Sequence, residues 1–346
     1  MLLSERENTI RNATFRGHEW IPQCVALNGA YWGEHREALE EVCLRHPTLF
    51  PGFRKGQVNF DAHIRRPEQR RVTDTWGCLW AYDIDGFDGQ VIGHPLEDWS
   101  AMASGAWRPP TPPEFTQADR DALAAQRAEG TLTQAWTDHG FLFMRLFYLR
   151  GFENFLMDVA TEDPRLDALI ETVIGYWERT LLPRIEAGVD IVNAADDLGT
   201  QTASILGPKY FQRYLLPAYQ RIFQPARRKG SLVKMHHDGY ILDIMDDLIA
   251  SGVNIVNPQD LVNGIDALAA GVKGRACICL DVDRQSVLPF GSPGDVRDLI
   301  GEEVMKLGSP AGGLEMIVGV YPPTPLANVE ALMSAMEEYR TYWVGK

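Results

Sequence analysis

From residue 189 onward the chain repeats one unit: a short run of apolar, mostly β-branched residues, then an amphipathic stretch that often begins near a proline and ends at a glycine. The runs are 189–195, 232–236, 253–257, 276–282 and 314–320, and a similar run at 141–148 precedes them. The helical stretches are 164–187, 208–229, 241–251, 293–307 and 326–339, with Gly188, Gly230 and Gly252 placed as C-caps. Strands that are apolar throughout and alternate with helices build a parallel sheet covered on both faces. Two more strands are expected upstream, within 20–27 and 72–82. Eight βα units in 346 residues predict an α/β fold, a single (β/α)8 TIM barrel over 1–346 with an N-terminal extension and insertion loops. The competing doubly wound sheet wants a glycine-rich phosphate turn after an early strand, and neither G-x-G-x-x-G nor a P-loop occurs. The proline-rich segment 107–113 follows two expected strands, so it reads as an insertion loop within one domain.

Charge narrows the partners. Asp and Glu number 47 against 33 Lys and Arg, a formal charge of −14 that repels phosphate backbones and anionic lipid. The basic clusters at 65–66, 70–71 and 227–229 are short and separated, so neither nucleic acid nor a membrane surface is expected as a partner. No apolar run approaches the roughly 18–20 residues that span a bilayer. The first 17 residues become charged within five and contain no apolar signal core. Five cysteines (Cys24, Cys43, Cys78, Cys277 and Cys279) are an odd number without framework spacing, which favours a reducing, cytoplasmic location.

In a barrel of this kind chemistry belongs at the C-terminal ends of the strands. Polar residues collect there: Asp196, Asp197 and Gln201; His236, His237 and Asp238; Asn257, Gln259 and Asp260; Asp281, Asp283 and Arg284; and Tyr321. Ionisable groups at a barrel mouth are costly unless used or paired, so their recurrence on consecutive strands marks a site. Asp196, Asp197, Asp238, Asp281 and Asp283 are all expected to converge on it. Each also has a plainer role: an aspartate before a helix is a common cap, Asp283 and Arg284 form a simple ion pair, and Tyr321 packs a loop. Alternation along the strand turns one of His236 and His237 inward and the other outward. Cys277 and Cys279 read as core residues. The remaining histidines, His18, His35, His46, His63, His94 and His139, show no ligand spacing.

Taken together, Asp196-Asp197-Leu198-Gly199-Thr200-Gln201, Leu206-Gly207-Pro208-Lys209-Tyr210-Phe211, His236-His237-Asp238-Gly239, Asn257-Pro258-Gln259, Asp283-Arg284-Gln285 with Leu288-Pro289-Phe290-Gly291, and Tyr321-Pro322-Pro323 resemble the uroporphyrinogen decarboxylase superfamily. Arg6-Glu7-Asn8, Asp74-Thr75-Trp76-Gly77 and His94-Pro95-Leu96 add to the resemblance, which runs over nearly the whole chain. It implies a (β/α)8 barrel, commonly a homodimer, that either decarboxylates porphyrinogen acetates or transfers methyl groups to or from a corrinoid. The decarboxylases grip substrate carboxylates with an arginine-rich loop, whereas residues 21–31 contain no arginine. Their histidine in the last strand falls on Val318 or Gly319, while their tyrosine is kept as Tyr148. The thiol-methylating branch binds zinc through His-x-Cys and a later Cys. Here His236 matches the histidine, Asp238 stands at the first cysteine and Gly319 near the second.

The expectation is therefore a corrinoid-dependent methyltransferase that demethylates a small methoxy or N-methyl compound, the corrinoid (cobalamin) being held on a separate partner protein. His236, Asp238, Asp197 and Tyr148 are the expected catalytic residues, with His236 and Asp238 serving as acid/base or as metal ligands, Zn2+ included. Asp196, Gln201, His237, Gln259, Asp283, Arg284, Tyr321, Trp76 and Trp80 are expected to bind substrate, Trp99 alongside them, in a pocket suited to a neutral or cationic molecule. The alternatives are a cofactor-free decarboxylase using Arg145, Arg150 or Arg284, and a non-catalytic barrel that binds a small molecule or corrinoid.

Overall fold

The computed structural model describes residues 3–138 and 140–346; His139 lies outside the described residues. The strands are β1 (Gln23–Leu27), β2 (Arg71–Thr73), β3 (Leu79–Ala81), β4 (Gln90–Gly93), β5 (Gln134–Trp136), β6 (Ile191–Ala195), β7 (Leu232–His237), β8 (Ile255–Pro258), β9 (Cys277–Asp281) and β10 (Leu314–Val320). Seven of them form one curled sheet in the order β1-β10-β9-β8-β7-β6-β5, every pair parallel. With helices packed outside, this is a TIM-barrel-like α/β fold. Among the described residues the sheet has seven strands rather than the expected eight, and β1 and β5 are its edges.

The five later runs become β6 to β10 and the run at 20–27 becomes β1, but two expected strands do not form. The run 72–82 is split by a tight turn: the Asp74 carboxylate accepts from the backbone N–H of Trp76 and Cys78, and Gly77 takes φ +85°. The halves become β2 and β3, which join β4 in a separate antiparallel sheet. The run 141–148 is a helix, Phe143–Arg150, with seven of its eight residues buried. A segment that is apolar but for Arg145 and buried on all sides carries no period that separates strand from helix. What decides it is Asp196, whose carboxylate accepts from the N–H groups of Leu142, Phe143 and Met144 and so caps the helix start. The barrel strand in that part of the chain is the three-residue β5.

The helices follow their signals more closely. Pro293–Leu307 starts on a Ser292–Asp295 capping box, and Leu216–Lys229 ends at Gly230 in the left-handed region. Gly207–Tyr210 runs into that helix through a single π turn, Phe211–Leu215.

Strand alternation creates two cores. Val192, Val233, Val256, Ile278 and Met316 face the helices in the main cluster, whereas Ile191, Leu232, Ile255, Cys277 and Cys279 point into the lumen. Ala13, at the end of helix Glu5–Ala13, packs against the lumen residues, and the Asn12 amide donates to the Leu314 carbonyl, so the N-terminal segment plugs the lower end. Above this floor Lys234 of β7 reaches Glu315 of β10, with Nζ 2.9 Å from Oε2. No helix among the described residues is long and apolar enough to cross a membrane.

Candidate active site

The residues that follow Lys234 and Ile255 on the same strand face are His236 and Asn257, and they meet at the upper rim. His236 Nδ1 lies 2.8 Å from Asn257 Oδ1. The Asn257 amide nitrogen is spent on the Cys279 carbonyl at 2.5 Å, so Oδ1 is the atom turned to the ring and Nδ1 must carry a proton. Nε2 is left facing the mouth, 3.4 Å from Asp238 Oδ1 and 3.9 Å from Asp197 Oδ1. Burial works to lower the His236 pKa, but the hydrogen bond and charge of Asp238, with Asp281 and Asp197 behind it, outweigh burial and hold it up at about 9. Burial likewise works to raise Asp238, and His236 and Arg284 keep it below the ordinary carboxylate range.

Asp238 Oδ1 gathers further donors: Arg284 Nη2 at 2.8 Å and Gln259 Nε2 at 2.9 Å. Gln259 Oε1 accepts from the Gly239 N–H at 3.0 Å and so ties the two loops together. Arg284 also reaches Asp281 Oδ2 at 3.3 Å. Burial pushes the Asp281 carboxyl up to about 6 despite that guanidinium. Gly239 is required where the loops after β6 and β7 cross: a Cβ there would lie 2.3 Å from the Gly199 carbonyl carbon, and its φ is +83°.

The outward partners of these residues serve the fold. Asp196 is fully buried; besides capping Phe143–Arg150 it accepts from the Tyr219 hydroxyl at 2.7 Å, so it is not a substrate contact. His237 is fully buried on the same side, with Nδ1 2.9 Å from the Asp196 carbonyl oxygen, and burial drives its pKa down to about 3. Asp283 also turns away from the mouth, its carboxylate accepting from the N–H groups of Gln285 and Ser286 and from the Ser286 hydroxyl. Gln201 is exposed on the turn closed by Thr200 and Ala203, and among the described residues no hydrogen bond ties its side chain to the cluster.

The opposite wall is aromatic. Tyr148, on the capped helix, is buried; burial and the nearby Asp197 charge both raise its pKa. Its ring meets Trp80 edge-on at 5.0 Å, and Trp80 Nε1 donates to Asp74 at 2.9 Å. Beside them a cavity of about 250 Å³ is lined by Trp76, Trp80, Tyr82, Asp88, Asp138 and Arg145, among others. Arg145 pairs with Asp74 at 3.0 Å and lies 5.0 Å from the Trp76 ring. Arg150 is buried against Asp158 at 2.7 Å and beneath Trp99 at 4.2 Å, which makes both structural. Tyr321 stacks on Phe87 at 5.8 Å, bringing the insertion over the mouth. The sequence places Asn257 among the polar strand ends but assigns it no individual role; its signal is its place two residues before Gln259, on the same inward face.

Asp197, His236 and Asp238 each offer one ligand atom within 4.8 Å of the others. They do not reproduce a zinc–thiolate site. Asp238 replaces one thiolate, and a Cβ at Gly319 would sit 2.7 Å from Tyr321 Cε2, so the second position is filled by a ring. The guanidinium of Arg284 is already in contact with Asp238.

Residues 143–339 match the family model for uroporphyrinogen decarboxylase (URO-D). Curated relatives include the methylcobamide:CoM methyltransferase MtaA of Methanosarcina barkeri, 23% identical over 177 residues that make up 50% of this chain and 48% of that protein. MtbA of Methanosarcina mazei, of the same description, is 24% identical over 45% of this chain and 44% of its own length. The chain spans about half the length of the curated relatives it matches. A solved methyltransferase from Methanosarcina mazei superimposes over 97% of this chain and 99% of its own, with a TM-score of 0.63 at 15% identity. The family match extends over more than half of the chain, from the capped helix to the last: it belongs to the uroporphyrinogen decarboxylase family.

Proposed function

We propose that this chain is a methyltransferase that removes a methyl group from the oxygen or nitrogen of a small methylated compound and passes it to a corrinoid held by a separate protein. The methylcobamide named for its relatives supports the corrinoid. The observation that carries the chemistry is the placing of His236: Nδ1 is locked by Asn257, and Nε2 faces the mouth between Asp238 and Asp197, whose charges favour the protonated ring.

An alkoxide or an amide anion leaves poorly, and protonation as the carbon–heteroatom bond breaks removes that obstacle. In the proposed step the bond from methyl to oxygen or nitrogen breaks, the methyl passes to the corrinoid, which supplies the nucleophile, and the Nε2 proton goes to the departing atom. Asp197 and Asp238 favour the return of a proton from water to the imidazole. The cavity beside Tyr148 holds the rest of the donor, and its aromatic walls with Asp88 and Asp138 favour a neutral or cationic molecule. Methylation of a thiol such as CoM is disfavoured because neither position for a zinc-bound thiolate is free. A decarboxylase gains no support, since Arg145, Arg150 and Arg284 are each held by carboxylates.

The test incubates the purified protein with cob(I)alamin as acceptor and a panel of methyl ethers and methylamines. Methylcobalamin absorbance should appear together with the demethylated product. Release of CO2 from a porphyrinogen or another carboxylic acid, with no methyl transfer from any donor, overturns the assignment.

A further inference from the structure

We propose that Arg284 is the resident cation of this centre, its guanidinium holding the ground that a divalent metal ion would need. The inference deepens the methyltransferase reading and rests on it for the site's role, although its own test does not require turnover.

Arg284 Nη2 lies 2.8 Å from Asp238 Oδ1 and 3.3 Å from Asp281 Oδ2, so one nitrogen bridges carboxylates at the ends of β7 and β9, across the intervening β8. Guanidinium does not give up its proton in a protein, so it cannot yield its charge to an arriving ion as an imidazole can. A metal bound to Asp238 Oδ1 would face that fixed charge within about 5 Å, at a bond length of about 2.0–2.2 Å.

The arginine is also held in place. The Asp283 N–H donates to Asp260 Oδ2 at 2.8 Å, and the Asp283 carboxylate accepts from the N–H groups of Gln285 and Ser286, which fixes the backbone on both sides of Arg284. The Tyr321 ring, 5.8 Å away, covers the guanidinium. A Cβ at residue 319 would approach Nη1 to 3.5 Å, so ring and guanidinium together take the space beside β10. Moving Arg284 aside would leave the Asp238 and Asp281 carboxylates with only the His236 imidazolium to balance two charges in a half-buried site.

The experiment measures metal directly. The full chain, purified without chelator, is analysed for bound metal and titrated with Co2+, whose visible absorption reports coordination by imidazole and carboxylate. Arg284→Met and Arg284→Lys are treated alike, with Arg284→Gln in reserve and a thermal melt to establish folding. The parent protein and Arg284→Lys should carry little metal and show no cobalt band at equimolar ion. Arg284→Met, or Arg284→Gln, should gain the band and bind Co2+ about tenfold more tightly or better, as expected from removing one nearby positive charge. Stoichiometric metal in the parent, or a folded Arg284→Met that binds cobalt no better, overturns the proposal. A metal-free parent that transfers no methyl group defeats the methyltransferase reading and leaves Arg284 standing. A metal-loaded parent that does transfer methyl groups defeats Arg284 alone.

Discussion

Asp196 and Asp197, like His236 and His237, are neighbours in sequence and opposites in space. Asp197 and His236 face the barrel mouth, each with about a third of the side chain exposed. Asp196 and His237 face the helices and are fully buried. The imidazoles diverge accordingly, to about 9 for His236 and about 3 for His237. Burial pushes both down, and the difference is made by carboxylates: His236 has three within reach, whereas His237 meets a backbone carbonyl. One strand end thus carries a charged imidazole at the mouth on one face and a neutral buried bridge on the other.

The comparison breaks most sharply on activity. His236→Gln should lower methyl transfer by about 10²–10⁴-fold, the range for a lost general acid, and leave the melting temperature nearly unchanged. His237→Asn should lower transfer only as far as it lowers the folded fraction. Equal activity losses in the two variants, measured by methylcobalamin formation and normalised to folded protein, would erase the distinction between the faces.

The aspartates sharpen the same contrast through stability. Asp196→Ala strands three backbone N–H groups and the Tyr219 hydroxyl in a dry site, and should cost about 3 kcal/mol or more of unfolding free energy. Asp197→Ala, at the wetter rim, should cost less than about 1 kcal/mol while reducing transfer. Urea denaturation of the pair checks it; a larger loss for Asp197→Ala would mean the inner carboxylate is the structural one.

These assignments were half legible in the sequence. Long apolar runs bounded by proline and glycine marked β6 to β10, because strand length and helix caps are local properties. The strand pair hidden in 72–82 is split by a local turn on Asp74 that the apolar run masks, whereas the helix at 143–150 depends on Asp196, which caps it from more than fifty residues away. Alternation guaranteed that His236 and His237 would point oppositely, but which of them faces inward is set by the register of β7 against β6 and β8, and that is a tertiary fact. Asp283 had a local signal that favours its structural role, since it lies three residues before Ser286 at the start of the short helix Val287–Phe290. Asn257 offered none beyond its strand face, as an amide becomes informative only when both of its ends have partners.

Below the cost of losing Asp196 comes the pH dependence of stability, where the two histidines act at opposite ends of the range. The folded-state pKa of His237, about 3, lies below the unfolded value near 6.5, so the unfolded chain takes up a proton that the folded chain refuses. Its contribution is complete above about 6.5 and declines as the pH falls; between pH 6.5 and 5 the loss is about 2 kcal/mol. His236 runs the other way, since its folded-state pKa of about 9 lies above the unfolded one. Its contribution is complete below about 6.5 and is lost as the pH rises through about 9, and screening at the partly exposed rim limits it to about 1 kcal/mol. Urea midpoints of the parent, His237→Asn and His236→Gln at pH 5, 7 and 9 separate the limbs: the first variant should flatten the acid limb and the second the alkaline one. An acid limb unchanged in His237→Asn would show that its imidazole is hydrated in the folded chain, and the two faces of β7 would then differ in geometry but not in solvent.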